Sequence, residues 1–131
     1  MTLLEALVSY GVANGILVGD GVDSFRDFMP DMPDNVVVFH EYQGSPVSQF
    51  IDSVHRSVQV KVRDKNPTSA RAKALQLCNA FKSDTESLRV DFSVDLWGQV
   101  YIRQTPFKLS QDTSDRVTYC FNLGITTNIL E

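Results

Sequence analysis

The residues of this chain that could carry chemistry are few, and they form no catalytic pattern. His40 and His55 lie in separate segments, and no motif joins either histidine to a cysteine or a carboxylate. The chain has no Gly-rich phosphate loop, no histidine pair at helical spacing and no Cys-x-x-Cys. The sequence therefore predicts a protein that is not an enzyme, with no catalytic residues, no metal ligands and no cofactor.

Two other features have structural explanations. Gly19–Asp23 resembles part of a calcium loop, but the alternating oxygen ligands and the closing glutamate are missing, so we predict a solvated turn. Cys78 and Cys120 fall in a predicted helix and a predicted strand, which favours two reduced core thiols over a disulfide.

Charge is distributed unevenly along the chain. The net charge of −4 argues against nonspecific affinity for nucleic acid. One stretch of the chain is rich in aspartate, and its simplest explanation is an acidic edge exposed to solvent. The series consists of Asp20, Asp23, Asp27, Asp31 and Asp34. The strongest candidate for a nucleic-acid-binding basic patch consists of Lys61, Arg63, Lys65, Arg71 and Lys73. It has no aromatic side chains on which single-stranded bases could stack, so we predict that it is a solvated helix start.

The element that organises the chain is a strand followed by a helix. Valines alternate with polar residues in the segment 56–63, which predicts a strand with one buried face. Asn66 and Pro67 suit a helix N-cap and the first helical position. The predicted helix then runs to Phe81 with one apolar stripe: Ala70, Ala74, Leu77, Cys78 and Phe81.

The remaining elements follow from local patterns. We predict a helix over residues 2–14 with Thr2 and Glu5 as a capping box, and strands over 36–42, 88–95, 100–102 and 116–127. Residues 22–28 are a strand or an irregular segment, 44–55 a long connection with room for one helical turn, and 104–114 a polar loop. Trp97-Gly98 predicts a bend or bulge. The last strand is long, which predicts a bend near Gly124 or an overhanging arm.

Together these elements predict one α+β domain spanning residues 1–131. Its sheet has four to six mostly antiparallel strands, and the second helix covers one face. No signal sequence and no membrane-spanning run is apparent, which indicates a protein that stays in a cytoplasm.

Four places in the chain, taken in order, carry a family resemblance. They are the leading helix; Met29-Pro30 with Pro33-Asp34-Asn35 before a valine-rich strand; the strand Val58–Arg63 before the Ala-rich helix; and the C-terminal part with Pro106–Leu109, Asp112, Asp115-Arg116 and Tyr119–Asn122. In these places the chain resembles the tail terminator family of long-tailed bacteriophages, also labelled minor capsid or tail-completion proteins.

The resemblance implies a structural virion protein. Such a protein is assembled in the host cytoplasm and forms a ring of its own copies, usually a hexamer, on the head-proximal end of the tail tube. The ring ends polymerisation of the tail tube protein and offers a surface to a head completion or connector protein. DNA would pass through the ring without specific binding, and no membrane is involved.

The same resemblance suggests where contacts lie. We expect subunit or tail-tube contacts at Phe107, Asp112, Asp115 and Arg116, and at Thr126, Thr127 and Asn128. Asp20, Asp23 and Asp27 are candidates for the lumen lining, since an acidic lining would not hold DNA phosphates. Two alternatives stay open: Asp112 and Arg116 brace a turn, and the chain is a small cytoplasmic binding or regulatory domain.

Overall fold

The computed structural model of the protein describes residues 2–42, 54–82, 88–92 and 96–128. Within them the chain forms two helices and six strands. In chain order these are α1 (Leu3–Ala13), β1 (Ser24–Arg26), β2 (Val36–Tyr42), β3 (Val54–Asp64), α2 (Pro67–Phe81), β4 (Leu88–Asp91), β5 (Trp97–Gln111) and β6 (Val117–Thr127).

All these strands belong to one sheet in the order β1-β2-β3-β6-β5-β4. Only β1 and β2 pair in parallel; the other neighbours are antiparallel. The longest uninterrupted pairing joins β3 to β6, from Val54 opposite Thr127 to Asp64 opposite Val117. The predicted α+β class with a mostly antiparallel sheet is confirmed.

Helix α2 covers one face of the sheet, as predicted. The Asn66 side chain caps it by accepting hydrogen bonds from the backbone N–H of Thr68 (2.9 Å) and Ser69 (3.4 Å). The predicted stripe is buried along its whole length. It packs on β3, β5 and β6, where Val60 and Phe121 are opposite each other and fully buried. The strand–helix unit read from the sequence is therefore the centre of the core.

Helix α1 packs over β1 and β2. Its cap forms as predicted, because the Glu5 N–H donates to Thr2 Oγ1 at 3.3 Å. Val12 is exposed near the end of the helix. Gly11 has a packing role: a Cβ there would lie 2.5 Å from Leu17 Cδ1, so a larger residue would force the Leu17 side chain to move.

Strand β5 corrects two predictions. Trp97 and Gly98 do not form a bend; they begin β5 and pair with β4. Most of the predicted polar loop 104–114 is also strand, since β5 continues to Gln111. Register shifts between Ile102 and Ser110 break the alternation that would have revealed it. Pro106 is tolerated because β4 pairs only with Trp97–Val100, which leaves the rest of this edge open among the described residues.

The end of β6 corrects another prediction. Thr126 and Thr127 do not overhang the sheet: each pairs with β3 on one side and with β5 on the other. The sequence underestimated β3, which begins at Val54, inside the predicted connection 44–55. Tyr101 lies against Gly124, so a Cβ there would overlap the Tyr101 ring.

The two short strands, the cysteines and the helices bear on the smaller predictions. Residues 22–28 contain the short strand β1, and β4 ends at Asp91 rather than at residue 95. Residues 44–53 of the predicted connection 44–55, and residues 83–87 and 93–95, lie outside the described residues. Cys78 and Cys120 are both free and buried. Neither helix of the described chain is long and apolar enough to cross a membrane.

The core predicts which substitutions the fold cannot accept. Leu77→Asp or Val60→Asp would put an unpaired charge at a fully buried position of the α2–sheet contact. We expect either change to cost more than about 4 kcal/mol and to abolish cooperative unfolding. Circular dichroism melts check this, with Asn79→Asp on the exposed side of α2 as the control. A wild-type melting temperature for either core variant would contradict this account of the core.

Candidate assembly surfaces

The residues predicted as contacts form two groups at opposite ends of β6. Asp112, Asp115 and Arg116 lie in the turn between β5 and β6, whereas Thr126, Thr127 and Asn128 lie at or just beyond the other end of β6. A strand of this length separates its ends by about 30 Å. Phe107 is half-buried within β5, opposite Cys120, rather than in a loop.

Asp112 organises the turn between β5 and β6. Its carboxylate accepts hydrogen bonds from the backbone N–H groups of Ser114 and Arg116, both at 2.9 Å, and from Arg116 Nε at 2.7 Å. The backbone donation from Arg116, together with its side-chain donation, holds the pKa of Asp112 below its usual value. Asp115 is exposed with φ of 61°, a conformation that aspartate tolerates. Asp112 and Arg116 therefore do brace a turn, as the alternative stated. A contact role for these two residues stays a prediction.

Arg116 also reaches a distant part of the chain. Its side chain is almost fully buried and donates to the backbone carbonyl of Asp31; it also pairs with the carboxylates of Asp31 (3.2 Å) and Asp34 (3.6 Å). The hydrogen bonds to Asp112 are the main reason that the pKa of Arg116 lies above its usual value. The turn at one sheet end is therefore tied to the connection between β1 and β2.

Arg63 of β3 holds the same connection from the neighbouring strand. Its guanidinium donates to three backbone carbonyls: Asp34 (3.1 Å), Asp31 (3.2 Å) and Pro33 (2.7 Å). Burial, and then the neighbouring charge of Arg116, lower the pKa of Arg63. Sequence reasoning placed Arg63 in a solvated basic cluster and missed this role. The signal was its position on the strand, flanked by residues of the buried alternation.

The other predicted group is held by hydrogen bonds to neighbouring strands. Thr127 is fully buried, and its hydroxyl donates to the Trp97 carbonyl at 2.8 Å. The Trp97 N–H in turn donates to the Asn128 side chain at 3.1 Å. These contacts fix the end of β6 within the sheet, so Asn128 is the exposed member of this group.

A polar cluster missed from the sequence lies beside this group. His55 contacts the hydroxyls of Thr126 (3.2 Å) and Tyr101 (2.6 Å), and Arg103 approaches the same ring and donates to Ser57 at 2.9 Å. Burial, followed by the charge of Arg103, lowers the pKa of His55, so the ring is neutral near pH 7. The described residues build no nucleophile–base pair with a carboxylate here. Among the described residues no group of His, Cys, Asp or Glu could hold a metal ion.

The acidic residues proposed for a lumen have partners within the chain. Asp20 pairs with Arg26 at 2.9 Å, and Asp23 braces the predicted turn by accepting from the Val18 and Gly19 N–H groups at 3.0 and 3.1 Å. Asp27 accepts from the Glu41 N–H at 3.1 Å and keeps an exposed side chain. The structure thus gathers them at the β1 edge of the sheet; their position in a lumen stays a prediction.

The Asp112 turn predicts a specific acid sensitivity. Because the folded pKa of Asp112 lies below its unfolded value, the carboxylate stabilises the fold fully above about pH 4 and loses this effect as pH falls through the folded pKa. We expect Asp112→Ala to lower the melting temperature near neutral pH, and the difference from wild type to shrink on acidification. Differential scanning calorimetry measures both.

Asp112→Asn is the matched variant for this test. It keeps an acceptor for the backbone N–H groups of Ser114 and Arg116 but removes the charge, so its melting temperature should lie between those of the other two proteins. A difference between Asp112→Asn and wild type that does not change with pH would contradict a role for the charge.

One protein family matches the chain over most of its length. A family model described as bacteriophage tail terminator protein matches residues 13–129. The match includes α2 and every strand described above, but only the last residue of α1, which was one of the four places of the resemblance. No curated protein matches the chain. Because the family match covers far more than half of its residues, the chain belongs to the bacteriophage tail terminator protein family.

Proposed function

We propose that this chain forms a hexameric ring on the head-proximal end of the tail tube. There the ring ends polymerisation of the tail tube protein and offers a docking surface to the head completion or connector protein. The family is structural rather than enzymatic, and its members are components of the phage tail and hence of the virion. Ring formation and head joining are the parts that this proposal adds.

The observation that carries the proposal, beyond the family match, is the separation of the two predicted contact groups. A terminator needs one surface for the tube and another for the head side. The turn at Asp112–Asp115 and the region of Asn128 lie at opposite ends of the β3–β6 pair. Strands that run roughly along the ring axis would present one group to each partner.

The ring itself needs unlike surfaces on each subunit. A closed ring forms from heterologous contacts when the rotation between neighbours closes. The described sheet has unlike edges, with β1 on one side and β4 and the outer part of β5 on the other. DNA would pass through such a ring without specific binding, in keeping with the net charge of −4.

Removal of the chain tests the terminator role. A phage that lacks this protein should make tail tubes of irregular, excessive length that fail to join heads, because nothing ends polymerisation. Electron microscopy of lysates measures tube length and the fraction of joined particles. Wild-type chain supplied from a plasmid is the control and should restore both. Tubes of normal length, joined to heads in the absence of the chain, would contradict the proposed function.

A milder substitution tests the turn as a docking surface. Asp115→Asn removes an exposed charge and keeps a residue that tolerates the positive φ. Each lost charge contact is worth on the order of 0.5 kcal/mol. A ring repeats that loss in every subunit, so we expect fewer joined particles and an unchanged melting temperature.

Asp91→Asn makes the same change at the other end of the sheet. Asp91 is an exposed aspartate on β4 and lies opposite Trp97, whose N–H donates to the Asn128 side chain. Counts of joined particles by electron microscopy compare the two variants. If both variants join heads as often as the wild type does, the turn is not a docking surface.

A further inference from the structure

Exposed apolar side chains are concentrated on one side of the described structure. They are Val12, Val18, Val22, Phe28, Met32, Tyr42 and Leu109, and all but Leu109 belong to α1, β2 or the connections around β1. Phe28, two residues after the end of β1, is the largest apolar side chain among them after Tyr42 and is 62% exposed. A free phenylalanine beside a sheet edge is a natural anchor for a partner.

An open groove lies at the other side of the sheet, between α2 and β5. It has a volume of about 390 Å³. Phe81 and Val100 form a fully buried apolar floor, while half-buried Ile102 and Pro106 line one wall. Lys82 lies at the rim with an exposed side chain. Among the described residues β4 pairs with β5 only as far as Val100, so Ile102 and Pro106 have no strand of the described chain beside them.

Phe28 and the groove lie at opposite edges of the sheet. In the strand order β1-β2-β3-β6-β5, four strand spacings separate the two edges, about 19 Å measured along the sheet. An apolar side chain at one edge and a groove at the opposite edge are the unlike halves of a heterologous contact between copies. Since both lie on every subunit, the same contact can repeat around a ring.

The charges around the two surfaces are complementary. Near Phe28 the β1 edge carries four carboxylates and one guanidinium: Glu5, Asp20, Asp23, Asp27 and Arg26. The groove rim carries Lys82, and β5 contains no carboxylate. Opposite charges of this kind favour the correct orientation of neighbours and disfavour contacts between like edges.

We infer that Phe28 of one copy inserts into the α2–β5 groove of the next copy, with Asp27 facing Lys82 at the rim. The inference rests on the proposed ring and names the surfaces that close it. It places Asp27 between subunits, as an alternative to the lumen position predicted from the sequence.

Thiol cross-linking in assembled particles tests the contact without removing Phe28. Met29→Cys places a thiol beside Phe28, and Thr105→Cys places one at an exposed position of the groove. The buried native thiols are replaced by alanine. We expect a short bis-maleimide reagent to give a ladder of covalent oligomers up to the hexamer on denaturing gels of purified tails.

Two comparisons make the result specific. Lys65→Cys with Thr105→Cys is the matched control, because Lys65 is exposed but lies in the turn between β3 and α2. This pair should leave the chain monomeric on the gel. Phe28→Ser, added to the Met29→Cys and Thr105→Cys pair, should reduce the cross-linked fraction by tenfold or more, as expected for a lost aromatic hot spot.

The other outcomes separate the two proposals. Tails that contain the chain but give no ladder with the Met29→Cys pair, or give equal ladders with both pairs, would overturn this contact and leave the terminator role intact. A Phe28→Ser variant that still cross-links like its parent would overturn it as well. Tails that lack the chain altogether would contradict the proposed function, and with it the contact that rests on it.

Discussion

The pairing of β3 with β6 is the constraint on which the rest of the structure depends. It joins the middle of the chain to its last described strand over the whole length of both elements. Its covered face supplies Val58, Val60, Phe121 and Leu123, all fully buried, to the contact with α2. A shift of register by one residue would turn these side chains to the opposite face, so the helix holds the register as firmly as the strands hold the helix.

The two arginines extend this constraint to the β1 edge. Arg63 belongs to β3 and Arg116 directly precedes β6, so the central pair carries both guanidinium groups to one place. Hydrogen bonds from a charged donor are worth about 2 kcal/mol each, whereas burying the ion costs several kcal/mol. For Arg63, which donates to three carbonyls, the free energy gained from the hydrogen bonds and the cost of burying the charge nearly cancel. The main effect of Arg63 and Arg116 is therefore to fix the position of the connection 31–34, rather than to stabilise the fold.

Sequence patterns predicted what depends on neighbours along the chain. The caps at Thr2 and Asn66, the α2 stripe and the alternation of β3 are all local, and they appear as predicted. Features set by distant partners were missed. Strand β5 looked like a loop because bulges and Pro106 hide its alternation, and the end of β6 looked free because the start of β3 was unknown. The predicted contact residues separated into two groups for the same reason, since only the strand pairing shows that they lie at opposite ends.

An antiparallel sheet of this kind keeps its ends and its edges independent. At one end of β6 the turn carries the exposed Asp115, whose charge can change without disturbing the core. The edges are formed by β1 and by the outer part of β5, each backed by a different helix. In the proposed ring, the chain would bind its own copies sideways and two different partners axially. The β3–β6 pair lies between the two ends and the two edges of the sheet, so each of these regions can adapt to its partner while the others keep their shape. Arg63 and Arg116 hold the β1 edge in place relative to the turn between β5 and β6, which we assign to one of the axial partners.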